Sequence, residues 1–132
     1  SDQLINLGDA SILVLGMGRI GSGAYDELSA THHQPIIGID NREDSVARHQ
    51  EEGRRAILGD ATDPDFWSRA ISDGQIKLIL LAMPHSQANM LALEQIRQTN
   101  FKGKVAAIAK YEDEIEQLKA QVAALQAAGG SK

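Results

Sequence analysis

Short apolar runs, almost free of polar interruption, recur along this chain and constrain its fold more than any other feature. Ile12–Leu15 (ILVL) is the first, Pro35–Asp40 (PIIGID) the second and Ala56–Leu58 a weaker third. Ile76–Ala82 (IKLILLA) is the strongest, and Val105–Ala109 (VAAIA) is the fifth. A strand with one face in water alternates apolar and polar residues, whereas a strand covered on both faces need not. The runs therefore read as parallel strands buried between two helical layers.

Amphipathic segments of helical length separate them. Ile20–Ala30 follows a glycine cluster, and Glu43–Glu52 ends at Gly53. Asp63 and Pro64 read as an N-cap followed by proline at the first helical position. That third helix passes through Trp67 and Ile71 and stops before Gly74. Ser86 is placed to cap a fourth, which carries Met90, Leu91, Leu93, Glu94 and Ile96. Glu112–Ala128 is the last, with Ile115, Leu118, Val122 and Leu125 on one stripe. The stripe can pack on the sheet or pair with another chain, and four positions are too few to prefer the coiled-coil reading. The alternation predicts an α/β fold: a Rossmann-like, doubly wound parallel sheet with right-handed crossovers and strand order 3-2-1-4-5. Residues 1–132 read as one domain, with the terminal GGSK (129–132) as a disordered tail.

Composition bounds the function. The 132 residues suffice for one core, and 42% hydrophobic with 23% charged residues fits an ordered globular domain. A net charge of −5 argues against a nucleic-acid binder or a helix drawn to acidic lipid. The absence of cysteine excludes a disulfide framework and a zinc–thiolate site. No apolar run approaches the roughly 20 residues of a membrane span. The start, SDQLINLGDA, lacks signal-peptide character. The piece reads as soluble, on its own or as part of a longer membrane protein.

The first strand runs into GMGRIG, residues 16–21, a G-x-G-x-x-G pattern that opens the first helix. Gly16 can make the tight turn, Gly18 admits a pyrophosphate, and Gly21 lets helix and strand pack closely. The helix N-terminus offers N–H groups and partial positive charge, and Arg19 at the mouth can add a charge-assisted bond. The plain alternative is a strand-to-helix turn without a ligand. Gly23, inside the helix, costs about 1 kcal/mol against alanine, which points to close packing on the sheet or on a dimer partner. The fingerprint also needs an acid at the end of the second strand. Asp40 stands 19 residues after Gly21. It can accept bonds from an adenosine ribose and repel a 2′-phosphate, although Arg42 nearby can offset that repulsion. It can also cap the helix that begins near Asn41.

Two more loops follow strands. In GDATDPDFW, the spacing of Asp60, Asp63 and Asp65 does not fit a calcium loop. Asp63 reads as the helix cap, while Asp60 and Ala61 lie where an adenine would rest. Asp60 can accept from an exocyclic amine or simply cap the turn. In LAMPHSQAN, Ala82 and Met83 should line the crevice beside Gly16 and Met17, because ligands bind where the strand order reverses. His85 and Asn89 are within reach, and His85 reads as an exposed loop histidine rather than a catalytic base. His32, His33 and His49 form no metal set, and Phe66 and Trp67 read as core or interface residues. No catalytic set and no metal site emerge.

Together, VLGMGRIGSG, IGID, LGDATDPDFW and LAMPHSQANMLALEQIR resemble the nucleotide-binding domain of bacterial potassium transport systems. This is the KTN or RCK domain, also called TrkA-N, and within it the likeness is to the cytoplasmic C-terminal domain of Kef-type cation/proton antiporters. The resemblance runs from about Ala10 to Lys119. It implies a Rossmann-like regulatory gate, not an enzyme, that binds AMP, NAD(H), ADP or ATP. On that resemblance Gly16, Met17, Gly18, Arg19, Ile20 and Gly21 form the phosphate loop. Asp40 and Asn41 hold ribose, Asp60, Ala61 and Thr62 frame adenine, and Ala82 and Met83 close the crevice. It further implies a homodimer, a membrane transporter domain in the same or a partner chain, and a place at the cytoplasmic face of the bacterial inner membrane. The family commonly continues into a sixth strand and a dimer helix; here Gln121–Lys132 reads as alanine-rich helix and then glycine. His85 also stands where many relatives carry a more acidic loop. The rival expectation is a cofactor-binding fragment of an NAD-dependent oxidoreductase, which needs a second region to present substrate. A third is an interaction module with an empty pocket.

Overall fold

The computed structural model describes residues 4–70 and 75–130. Strands and helices alternate as β1 (Ile12–Leu15), α1 (Arg19–His32), β2 (Ile36–Asp40), α2 (Glu43–Glu51), β3 (Ala56–Leu58) and α3 (Pro64–Ala70). They continue as β4 (Leu78–Leu81), α4 (Ser86–Arg97), β5 (Lys104–Ala107) and α5 (Ala109–Gly130). All pairings are parallel, in the order β3-β2-β1-β4-β5, as the run pattern predicts. The chain thus moves outward from β1 to β3, then crosses back to β4.

Register shows why the runs lack alternation. Val14 stands opposite Gly38 on one side and Leu80 on the other. Leu13, Leu15, Ile37, Ile39, Ile79 and Leu81 pack with Phe66 and Trp67 of α3 and Ala92 and Ile96 of α4. Ile12, Val14, Ile36 and Leu80 pack on the opposite face with Tyr25 of α1. Both faces of the central strands are covered, so each residue of β1 is buried.

Several local expectations shift. β4 is shorter than its apolar run, and β5 begins one residue earlier than expected. Ala109, expected in the last strand, starts α5, which is assigned through Gly129 and Gly130. Ile71, Gly74, Ser131 and Lys132 lie outside the described residues. Ser86 is the first residue of α4 rather than its cap; the N-cap position falls to His85, without a side-chain capping bond. The α5 stripe does not pack on the sheet: Leu118, Val122 and Leu125 are 58%, 51% and 72% exposed. Gly23 does not pack on the sheet either, for a Cβ there would meet nothing within 4 Å. Gly21 does: a Cβ would lie 1.7 Å from the Gly16 carbonyl oxygen.

Polar contacts tie α1 to the turn between α2 and β3. The Arg54 guanidinium donates to both Asp26 carboxylate oxygens, at 2.9 and 2.8 Å. The Tyr25 hydroxyl accepts the Arg55 N–H at 2.8 Å. The Arg54 bond holds the Asp26 carboxyl below the usual carboxylate range.

Gly21 and Gly23 differ in what a side chain there would meet. Gly21→Ala should destabilise the fold by about 3 kcal/mol, because the clash is with backbone. Gly23→Ala should stabilise it by about 0.5–1 kcal/mol, because it only removes a helix-interior glycine. Urea unfolding measures both, and equal effects would contradict the packing described. For Asp26, a lowered folded-state pKa gives stability that is present above the unfolded value and lost as pH falls through the folded one. Asp26→Asn should therefore flatten the acid limb of the stability–pH curve below about pH 4. The side chain is 54% exposed, so solvent screening keeps the effect under about 1 kcal/mol. An unchanged acid limb would deny the pairing any role in stability.

Candidate functional site

The carboxyl ends of the central strands are stepped and bonded to one another. The Gly16 N–H donates to the Ile39 carbonyl, Gly59 to Asp40, and Ala82 to Leu15, at 2.8, 2.9 and 2.8 Å. Beyond them opens a cleft of about 410 Å³. Of the residues expected at the site, Gly16, Gly18, Asp40, Asn41, Asp60, Ala61 and Met83 line it. Met17, Arg19, Ile20, Gly21, Thr62 and Ala82 do not line it, and most have a plain structural position. The Met17 side chain is fully buried over β2, where a Cβ on Gly38 would lie 2.3 Å from its sulfur. Gly21 and Ala82 are buried beneath the loop, and the Thr62 hydroxyl bonds Asp60. Arg19 and Ile20 form the first turn of α1, directly after Gly18.

The three glycines of the loop occupy the positions the fingerprint requires. Gly16 has φ +97°, and a Cβ there would press on the Met83 backbone at 2.9 Å. Gly18 is exposed, with open space where a side chain would stand. Gly21 seats α1 against Gly16. Asp40 holds backbone on either side of it, although the N-cap position of α2 is Arg42. Its Oδ1 accepts the Arg42 N–H and its Oδ2 the Met17 N–H, both at 3.0 Å, while the residue also lines the cleft. A carboxylate has about four acceptor sites, so two bonds leave capacity for a ligand hydroxyl.

The opposite rim is built in the same way. Asp60 Oδ1 accepts from the Thr62 N–H and hydroxyl at 2.9 and 2.7 Å, which makes it the turn's cap as well as a lining residue. Asp63 accepts the Asp65 N–H at 2.9 Å and caps α3. The Trp67 indole donates to the Ala61 carbonyl at 2.6 Å, and Phe66 fills the space beside Gly59. The two rings meet edge to face at 5.0 Å. Asn89, expected within reach of a ligand, is instead 3% exposed and holds the backbone of Met83. It accepts the Met83 N–H at 3.1 Å and donates to the Met83 carbonyl at 3.0 Å.

Residues that sequence reasoning did not select also contribute. Asp44, Ser45 and Arg48 of α2 line the cleft, as does Pro84, beside the exposed His85 that the sequence places within reach. The Arg42 guanidinium, 3.4 Å from Asp44, lowers the pKa of that carboxyl. Buried His49 reaches the glycine loop from beneath. No motif marks it, because its partner is 32 residues away. Among the described residues, no three His, Asp or Glu side chains converge as a metal-binding group. No helix among them is long and apolar enough to cross a membrane.

Comparison with known proteins agrees with the fold. One solved relative is the NAD(P)-binding domain of an exopolyphosphatase-related protein from Archaeoglobus fulgidus. It is 19% identical, covers 93% of this chain and 99% of its own, and has a TM-score of 0.65. The GsuK channel bound to NAD is 17% identical with a TM-score of 0.64; the match covers 81% of this chain but only 19% of the channel chain. The TrkA-N domain of the inner membrane protein ybaL from Escherichia coli is 18% identical, with 88% and 98% coverage and a TM-score of 0.48. No curated protein sequence matches significantly. Identities this low speak for the fold alone, but the sequence profile of the TrkA-N domain matches residues 12–127. That span takes in the glycine loop, Asp40, the GDAT turn and the Met83 loop, and the chain belongs to the TrkA-N domain family.

Proposed function

We propose that this chain is a regulatory adenine-nucleotide-binding domain, not an enzyme, and that its ligand is AMP or NAD(H), with ADP and ATP as further candidates. One observation carries the reading. A single cleft at the strand-order reversal joins an open glycine backbone, Gly16 and Gly18, to the Asp40 carboxylate and the Asp60–Ala61 turn. Phosphate goes to the glycine loop and the first turn of α1, with Arg19 at its edge. Ribose hydroxyls go to Asp40, with Asn41 beside it, and adenine rests against Asp60 and Ala61. Met83 closes the cleft, while Met17, Ile20, Gly21, Thr62 and Ala82 hold the surrounding backbone.

Regulation requires the ligand to bind one arrangement of a larger assembly more tightly than another. The structurally similar GsuK channel, bound to NAD, offers one such assembly. Here the partner is a cation transporter of Kef type, in the same or another chain, at the cytoplasmic face of the bacterial inner membrane. A homodimer would cover the exposed Leu118, Val122 and Leu125 stripe of α5.

Calorimetry on the domain with AMP, NADH and NADPH tests the reading. AMP and NADH should bind. NADPH should bind at least about tenfold more weakly, because a 2′-phosphate would meet the Asp40 carboxylate. Failure of AMP and NADH to bind, or a clear preference for NADPH, would overturn it.

A further inference from the structure

His49 sits within α2 and is only 4% exposed. Its ring bridges two partners of opposite character. Nε2 lies 2.6 Å from the Met17 carbonyl oxygen, and Nδ1 lies 3.2 Å from an Arg54 guanidinium nitrogen. A carbonyl only accepts and a guanidinium only donates. The ring satisfies both when its proton is on Nε2 and Nδ1 is the acceptor. Arg54 is itself anchored, by the two Asp26 bonds and by Glu52 at 3.3 Å. A chain of contacts therefore runs from α1, through Arg54 and His49, to the glycine loop.

Its end point is one peptide group. The Met17 N–H is already held by Asp40, and the Met17 side chain is locked over Gly38. The peptide from Met17 to Gly18 is trans, so its C=O and N–H point in opposite directions. Drawing the carbonyl onto His49 turns the Gly18 N–H away from the ring. Gly18 lines the cleft, and a Cβ on it would meet nothing within 4 Å. We propose that His49 is a positioning residue for phosphate recognition: it sets the Met17–Gly18 peptide so that the Gly18 N–H donates to the ligand's phosphoryl oxygen. This inference rests on the nucleotide reading of the cleft.

A histidine that only supported the fold would affect every ligand alike, or none. A positioning histidine affects the phosphate alone. His49→Leu removes both bonds but stays apolar in a buried place, His49→Asn is too short to reach the carbonyl, and His49→Gln retains a donor that can reach it. Calorimetry with AMP and with adenosine separates phosphate from nucleoside. The Gly18 amide resonance in nitrogen-15 spectra of the ligand-free chain reports the peptide directly. His49→Leu, or His49→Asn if the first does not fold, should weaken AMP about tenfold, as loss of one well-aligned bond does. Adenosine affinity should stay within about twofold of wild type. The Gly18 amide should shift in these variants, and His49→Gln should return both readouts toward wild type. Equal losses for AMP and adenosine, an unmoved Gly18 amide, or failure of His49→Gln to rescue would each overturn the inference. A wild-type chain that takes up neither ligand would remove the nucleotide reading and the phosphate role together. The Gly18 amide would then still decide whether His49 sets the peptide.

Discussion

The bond between the Asp40 carboxylate and the Met17 N–H, at 3.0 Å, joins the ends of the two central strands where the chain turns from sheet to helix. Without it, the glycines that permit the turn would leave it loose, since conformational freedom costs entropy when it is lost on folding. Gly16 provides the left-handed step and Gly18 the open surface, but neither can fix where the loop sits. Fixing comes from Met17, whose N–H, carbonyl and side chain each meet a separate partner: Asp40, His49 and the space over Gly38. A flexible sequence thus becomes a rigid surface through the one bulky residue between its first two glycines.

The same device recurs around the cleft. His49 holds the carbonyl of Met17, Trp67 the carbonyl of Ala61, and Asn89 both backbone groups of Met83. Each is a buried polar side chain reaching a loop backbone from below. Burying such a group costs free energy unless its bonds are made. Here the partner is a loop backbone that would otherwise rely on water. Satisfying side chain and loop together gives rigidity on the inner side and leaves the outer side to the cleft. The core and the cleft are therefore coupled: changes at Trp67 or Asn89 act on the rim without touching anything bound there.

Periodicity made much of the fold legible. Short apolar runs mark strands covered on both faces, and Gly16, Gly18 and Gly21 stand where the loop needs them, because both are local patterns. Asp40, Asp60 and Met83 were legible as cleft residues from their positions at strand ends. His49 and Asn89 were not, because a side chain's partner across the fold leaves no mark on its neighbours in the chain. Asn89 was expected to face a ligand, and it is the need to satisfy a tight turn at Met83 that draws it inward. The α5 stripe misled in the opposite way: apolar spacing shows that a face is apolar, not what covers it.

Charge placement gives the cleft a direction. Helices α1 to α4 begin at the carboxyl edge of the sheet around the cleft, and their first turns differ. α2 begins with Glu43 and Asp44 and α3 carries Asp65, whereas α1 and α4 have no acid there. An acid in the first turn offsets the partial positive charge of a helix N-terminus, and its absence leaves that charge for an anion. The two uncompensated ends flank the reversal between β1 and β4, beside the glycine loop. The two compensated ends stand over β2 and β3, beside Asp40 and Asp60. The uncompensated half thus favours negative charge, while the other combines the Asp40 and Asp60 acceptors with the Arg42 and Arg48 donors of the α2 side. A nucleotide has that same division, phosphate at one end and ribose and base at the other. In a chain of net charge −5, the division is made locally, by which helix starts lack an acid and by where Arg42 and Arg48 stand.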